Sequence, residues 1–191
     1  MSILKVNYIG KQLHAQGPGT RYTIWVQGCS IHCPGCSNID TWDPAGGTEY
    51  DVQELVKDIL ATEDIDGVTI TGGEPLDQFD AVYELCNSLF NKICIFLTTG
   101  YFLYDGILTG DRPKYSFSEV ARWLKILKVL DIICYGGFEQ DKICKDGWRG
   151  SSNQEVNFLT KLGESQKNMP SAYKEIIISP DGRILETGFH V

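Results

Sequence analysis

Thr23-Ile24-Trp25-Val26-Gln27-Gly28-Cys29-Ser30-Ile31-His32-Cys33-Pro34-Gly35-Cys36 reads as an apolar run of strand character that empties into a loop carrying three cysteines. Cys29, Cys33 and Cys36 stand at i, i+4 and i+7, which is also the spacing of a helical stripe. Gly28, Pro34 and Gly35 argue against a helix, because a proline inside one costs about 3 kcal/mol and a glycine about 1 relative to alanine. A strand followed by a loop is the better description.

Outward from this stretch, strand and helix patterns alternate. Asp51 and Glu54 have capping-box spacing ahead of Leu55, Val56, Ile59 and Leu60, so a helix starts near Asp51. Val68-Thr69-Ile70-Thr71 is a second strand, Phe79, Val82, Tyr83, Leu85, Cys86 and Leu89 recur at helical spacing, and residues 93–97 form a buried strand. Ser118 caps a helix carrying Val120, Leu124 and Leu127, and Asp131-Ile132-Ile133-Cys134 follows as a strand. Such alternation is the signature of βα units, so the fold class is α/β with mostly parallel strands. Residues 136–153 read as a long loop before a helix at about 154–162. Residues 174–178 and 183–186 read as a C-terminal β-hairpin across Ser179-Pro180-Asp181-Gly182. No repeat or linker interrupts the 191 residues, so one domain spanning 1–191 is expected, with 164–191 as an extension.

Composition narrows the function classes. A formal charge of −8, from 25 acidic against 17 basic residues, gives no general attraction to nucleic acid or to an anionic membrane. A protein or small-molecule partner is expected instead. No run reaches the roughly 18 apolar residues of a membrane span, and the first residues lack a secretory pattern, so the expected location is the cytoplasm. A cysteine cluster there is more often metal-binding or catalytic than disulfide-forming. Cys86, Cys94 and Cys134 fall in apolar helix or strand runs, as small hydrophobes do.

The cysteine loop has three readings on its own residues: structural thiols, a zinc site completed by His32, or an iron-sulfur centre with one ligand missing. Zinc sites normally arise from two separated ligand pairs, and no second pair follows. Thr71-Gly72-Gly73-Glu74-Pro75 closes the strand at 68–71. Paired glycines there let a ligand approach the backbone, at the strand end where α/β folds bind ligands. A plain tight turn is the alternative.

Cys29-x3-Cys33-x2-Cys36 followed by Gly72-Gly73-Glu74-Pro75 resembles the radical S-adenosylmethionine (SAM) superfamily. The resemblance implies a partial (β/α) barrel and a 4Fe-4S cluster on the three cysteines, with SAM chelating the fourth iron. Gly72, Gly73, Glu74 and Pro75 would bind the methionyl end of SAM. Gly17-Pro18-Gly19-Thr20-Arg21, Cys33-Pro34-Gly35-Cys36-x-Asn38 with Thr41-Trp42, Thr99-Gly100-Tyr101 and Trp148-Arg149-Gly150-Ser151-Ser152-Asn153-Gln154 resemble the activating proteins of anaerobic ribonucleotide reductase. That implies an enzyme that makes a 5′-deoxyadenosyl radical and raises a glycyl radical on a partner protein, fed by a flavodoxin or ferredoxin-type electron donor. Asn38, Thr98, Thr99 and Gly100 are further cofactor-binding candidates, the threonines and Gly100 for the ribose and adenine. The 136–153 loop would serve as a gate, with Trp148 and Arg149 either docking groups or ordinary packing. The rival functions are a radical SAM enzyme acting on another protein, peptide or small molecule, and an iron-sulfur electron-transfer module. Tyr135-Gly136 stands where such activases commonly have Asp-Gly, and the residues after about 163 exceed the shortest of them.

Overall fold

A computed structural model of the chain describes residues 2–102, 117–178, 182 and 184–188. Strand β1 (Ile3–Leu13) pairs antiparallel with β2 (Arg21–Val26) on one side and with β3 (Thr48–Asp51) on the other. Beyond β2 come β4 (Gly67–Gly72), β5 (Cys94–Thr99) and β6 (Ile132–Tyr135), each parallel to its neighbour. An antiparallel β7 (Glu155–Phe158) ends the sheet, whose order is β3-β1-β2-β4-β5-β6-β7. The parallel strands therefore form the centre, and antiparallel strands form both flanks.

Period-two alternation divides the sheet into unlike faces. Tyr22, Ile24, Val26, Val68, Ile70, Ile95, Leu97, Ile133 and Tyr135 belong to the main apolar core. Helices α1 (Val52–Ala61), α2 (Phe79–Leu89) and α3 (Phe117–Leu127) pack on it through Leu55, Ile59, Val82, Leu85, Trp123 and Ile126 among others, and Leu4 and Val6 of β1 join the same core. The alternate residues Trp25, Thr69, Thr71, Phe96, Thr98 and Cys134 border a cavity instead. Asp51 caps α1 as its spacing predicts, its carboxylate accepting from the amides of Gln53 and Glu54. Ser118 falls inside α3 rather than ahead of it.

The helix expected at 154–162 is replaced by strand β7 and a short α4 (Lys161–Ser165). Val156 and Phe158 alternate with polar residues and pack on Cys94, Phe96, Ile132 and Cys134, so burial on the free edge of β6 wins over helical spacing. The C-terminal hairpin is present as β8 (Lys174–Ile178) paired with β9 (Ile184–Gly188). Ser179, Pro180 and Asp181 of its expected turn lie outside the described residues. No helix among the described residues is long and apolar enough to cross a membrane.

Candidate functional site

The cysteine loop begins where β2 ends, and the following segment holds it in place. The amides of Gly28 and Cys29 donate to the carbonyls of Thr41 (2.6 Å) and Trp42 (3.2 Å). Gln27 donates from Nε2 to the carbonyls of Asp43 (2.7 Å) and Asp40 (3.2 Å) and accepts from Asn7 (2.8 Å). His32 stacks on Trp42, with ring centroids 4.5 Å apart and planes 24° from parallel. The three thiols are half-buried. Burial pushes the Cys29 and Cys33 thiols up, against the opposite pull of the backbone amides of His32 and Ile31 on Cys29 and of Phe138 on Cys33. The Asn38 amide lies 3.4 Å from Cys36 Sγ.

The glycine pair meets this loop backbone to backbone. Gly73 and Glu74 donate their amides to the carbonyls of Val26 (2.9 Å) and Gly28 (2.8 Å), prolonging the parallel ladder into the loops. A side chain on Gly73 would put Cβ 2.1 Å from the Gly28 carbonyl oxygen, and Gly72 has φ +97° with its missing Cβ 2.7 Å from Trp25 Cα. Close approach is thus the reason for both glycines, and the cysteine strand is what approaches.

Glu74 is buried, at 1% exposure. It accepts from the Leu76 amide (2.9 Å), the Thr99 hydroxyl (2.7 Å) and the Gly100 amide (2.8 Å), so it braces the end of β5 against the glycine loop. Burial pushes its pKa up to about 7, with those three donors pulling the other way.

One cavity of about 410 Å³ brings most of these groups together. Cys29, Cys33, Cys36 and Asn38 border it, and so do Gly72, Gly73 and Glu74. Thr98, Thr99 and Gly100 complete the sequence-derived set, with Thr98 donating to the Thr71 hydroxyl at 2.8 Å. Pro75 is apart from it, buried at the start of a 3-10 turn over Pro75–Gln78. No group of three or more His, Cys, Asp or Glu among the described residues is gathered for a single metal ion.

Trp148 and Arg149 turn inward. Trp148 packs edge-on against Phe96 (6.1 Å) and Phe158 (5.4 Å), and Arg149 pairs with Asp146 at 2.6 Å and donates to the carbonyls of Ser152 and Gln154. Both are packed or paired within the chain and both also border the cavity. Tyr135 belongs to the helix-side core, with its hydroxyl 2.5 Å from Glu155 Oε2, so it does not occupy the cavity.

Sequence reasoning missed the far wall. Gln16 and Gly17 border the cavity with Thr187 and Gly188 of β9, and Gln16 Nε2 donates to Thr187 Oγ1 at 2.6 Å. The alternating threonines at 69 and 71 were the available signal for the inner face of β4.

The family described as a 4Fe-4S single cluster domain matches residues 15–157. The anaerobic ribonucleoside-triphosphate reductase-activating protein of Enterobacteria phage T4 is 32% identical over 148 residues, covering 73% of this chain and 85% of its own. Its counterpart from Escherichia coli is 32% identical over 156 residues, covering 75% and 91%. The pyruvate formate-lyase-activating enzyme of Listeria monocytogenes is 38% identical over 73 residues, covering 36% and 29%. The chain belongs to the radical SAM superfamily, as a 4Fe-4S single cluster protein of the anaerobic ribonucleoside-triphosphate reductase-activating type.

Proposed function

We propose that Cys29, Cys33 and Cys36 hold a 4Fe-4S cluster at the mouth of the cavity, and that the chain raises a glycyl radical on an anaerobic ribonucleoside-triphosphate reductase. The observation that carries this reading is the convergence of three thiols and the Gly72–Glu74 loop on one cavity. The donor set fits the group. Three thiols serve three corners, backbone amides face all three sulfurs, and each thiolate of a cluster sits on its own iron rather than on a shared ion. When bound, the cluster and SAM together supply the one-electron cleavage that yields a 5′-deoxyadenosyl radical.

The chain's residues provide placement. Gly72 and Gly73 let their loop pack directly on the backbone of the cysteine strand, which brings the loop to the cavity beside the three thiols for the methionyl end of SAM, while Glu74 fixes Thr99 and Gly100 at the cavity edge. Thr98, Thr99 and Gly100, at the cavity edge where β5 ends, are the candidates for the ribose and adenine. Pro75 serves by starting the turn that seats Glu74. Among the described residues α1, α2 and α3 pack on one sheet face and leave the other to the cavity, which supports a partial (β/α) barrel open to a partner's loop. The reductase is preferred over pyruvate formate-lyase as partner, because the formate-lyase activator matches over only 29% of its length. A flavodoxin or ferredoxin-type protein supplies the electron, and a single cytoplasmic domain suits that exchange.

Anaerobic reconstitution tests the reading. About four irons and four sulfides per chain are expected, with 5′-deoxyadenosine formed on adding SAM and dithionite. A bound zinc ion in place of the cluster, or a full cluster that leaves SAM intact, overturns it.

A further inference from the structure

Ser30, Asp77 and Tyr101 meet beside the cavity without bordering it, and no step above uses them. Ser30 directly follows Cys29. Its amide donates to Asp77 Oδ2 at 2.7 Å and its hydroxyl to Oδ1 at 3.0 Å. The Tyr101 hydroxyl donates to the same Oδ1 at 2.7 Å and lies 3.0 Å from Ser30 Oγ. Tyr101 is itself fixed, by an edge contact with Trp123 (5.9 Å) and by its amide on Thr99 Oγ1 (3.2 Å). Asp77 lies in the turn that Glu74 caps. One carboxylate therefore ties together the cysteine loop, the turn after the glycine pair and the end of β5.

Charge gives this clasp a second consequence. The Asp77 carboxylate stands beside the Cys29 corner, because its Oδ2 holds the amide of the very next residue, Ser30, at 2.7 Å. Reducing a cluster adds a negative charge, so a carboxylate beside one corner opposes reduction, and hydrogen bonds that spread its charge soften the opposition. We propose that Asp77 is a positioning residue for the cluster: through Ser30 it holds the Cys29 corner, and its charge, moderated by Tyr101, sets how readily the cluster accepts an electron. This rests on the reading that Cys29 is a cluster ligand.

The test compares the reconstituted full chain with Asp77→Asn and Tyr101→Phe, using iron content and an electron paramagnetic resonance redox titration without SAM. At the wild-type midpoint, Asp77→Asn should raise the ratio of reduced to oxidised cluster severalfold, toward the tenfold that equals about 59 mV for one electron. Tyr101→Phe should lower the ratio, because the carboxylate loses a donor. Opposite shifts at wild-type iron content support the proposal. Unchanged ratios, shifts of the same sign, or iron loss with a wild-type ratio in the surviving clusters overturn it. If Asp77→Asn does not fold, Tyr101→Phe decides by its direction alone. A wild-type chain that takes up no iron fails the ligand reading and the clasp with it, whereas a full cluster with unmoved ratios fails the clasp alone.

Discussion

Glu74 concentrates the tension of the site in one side chain. Its carboxylate is removed from water yet keeps three donors, and burial wins, lifting the pKa from an ordinary 4.5 to about 7. A raised carboxyl pKa means the folded apoprotein holds the proton more tightly than the unfolded chain does. The associated stability is fully present below about pH 4.5 and is lost as pH rises through 7, a difference of roughly 3 kcal/mol. Urea denaturation of the apoprotein at pH 5 and pH 8 should show this slope, and Glu74→Gln should flatten it. An equal slope in the variant would assign the pH dependence to other groups. Tyr135 shows the reverse economy. Its bulk joins the helix-side core and its hydroxyl reaches Glu155, so the position holds β6 to β7 and leaves the cavity untouched.

Among the elements, those with a long period were legible from sequence. Helix α2 matches its expected span because six apolar residues recur over three turns, and α1 starts at Asp51 because a side chain there can satisfy free amides. Asp51→Ala should cost about 1 kcal/mol, as loss of an N-cap does, read as a lowered midpoint in chemical denaturation. An unchanged midpoint would mean the β3 pairing alone fixes the helix start. Strand β7 was misread because four residues hold too little periodicity to outweigh a helical guess, and its identity comes from the open edge of β6. The cysteine loop and the Gly72–Glu74 loop were legible as loops at strand ends because glycine and proline are local signals, and the structure brings both to one cavity. The Ser30-Asp77-Tyr101 clasp was not, since its members are separated by 47 and 24 positions and only the sheet order brings them together.

For the whole molecule, the sheet assigns its two faces separate tasks. Helices cover one and build the core, while threonines, Trp25 and Phe96 on the other border a cavity that ends at the cysteines. The C-terminal hairpin, beyond the family match at 15–157, reaches the same cavity through Thr187 and Gly188 and so belongs to the site. The most direct measurement mixes the reconstituted chain, SAM, a reductant and the anaerobic reductase, and records the electron paramagnetic resonance spectrum of the reductase. A glycyl radical that requires SAM and vanishes with Cys33→Ala is the predicted result. A cluster-loaded chain that cleaves SAM while the reductase stays free of radical would contradict it.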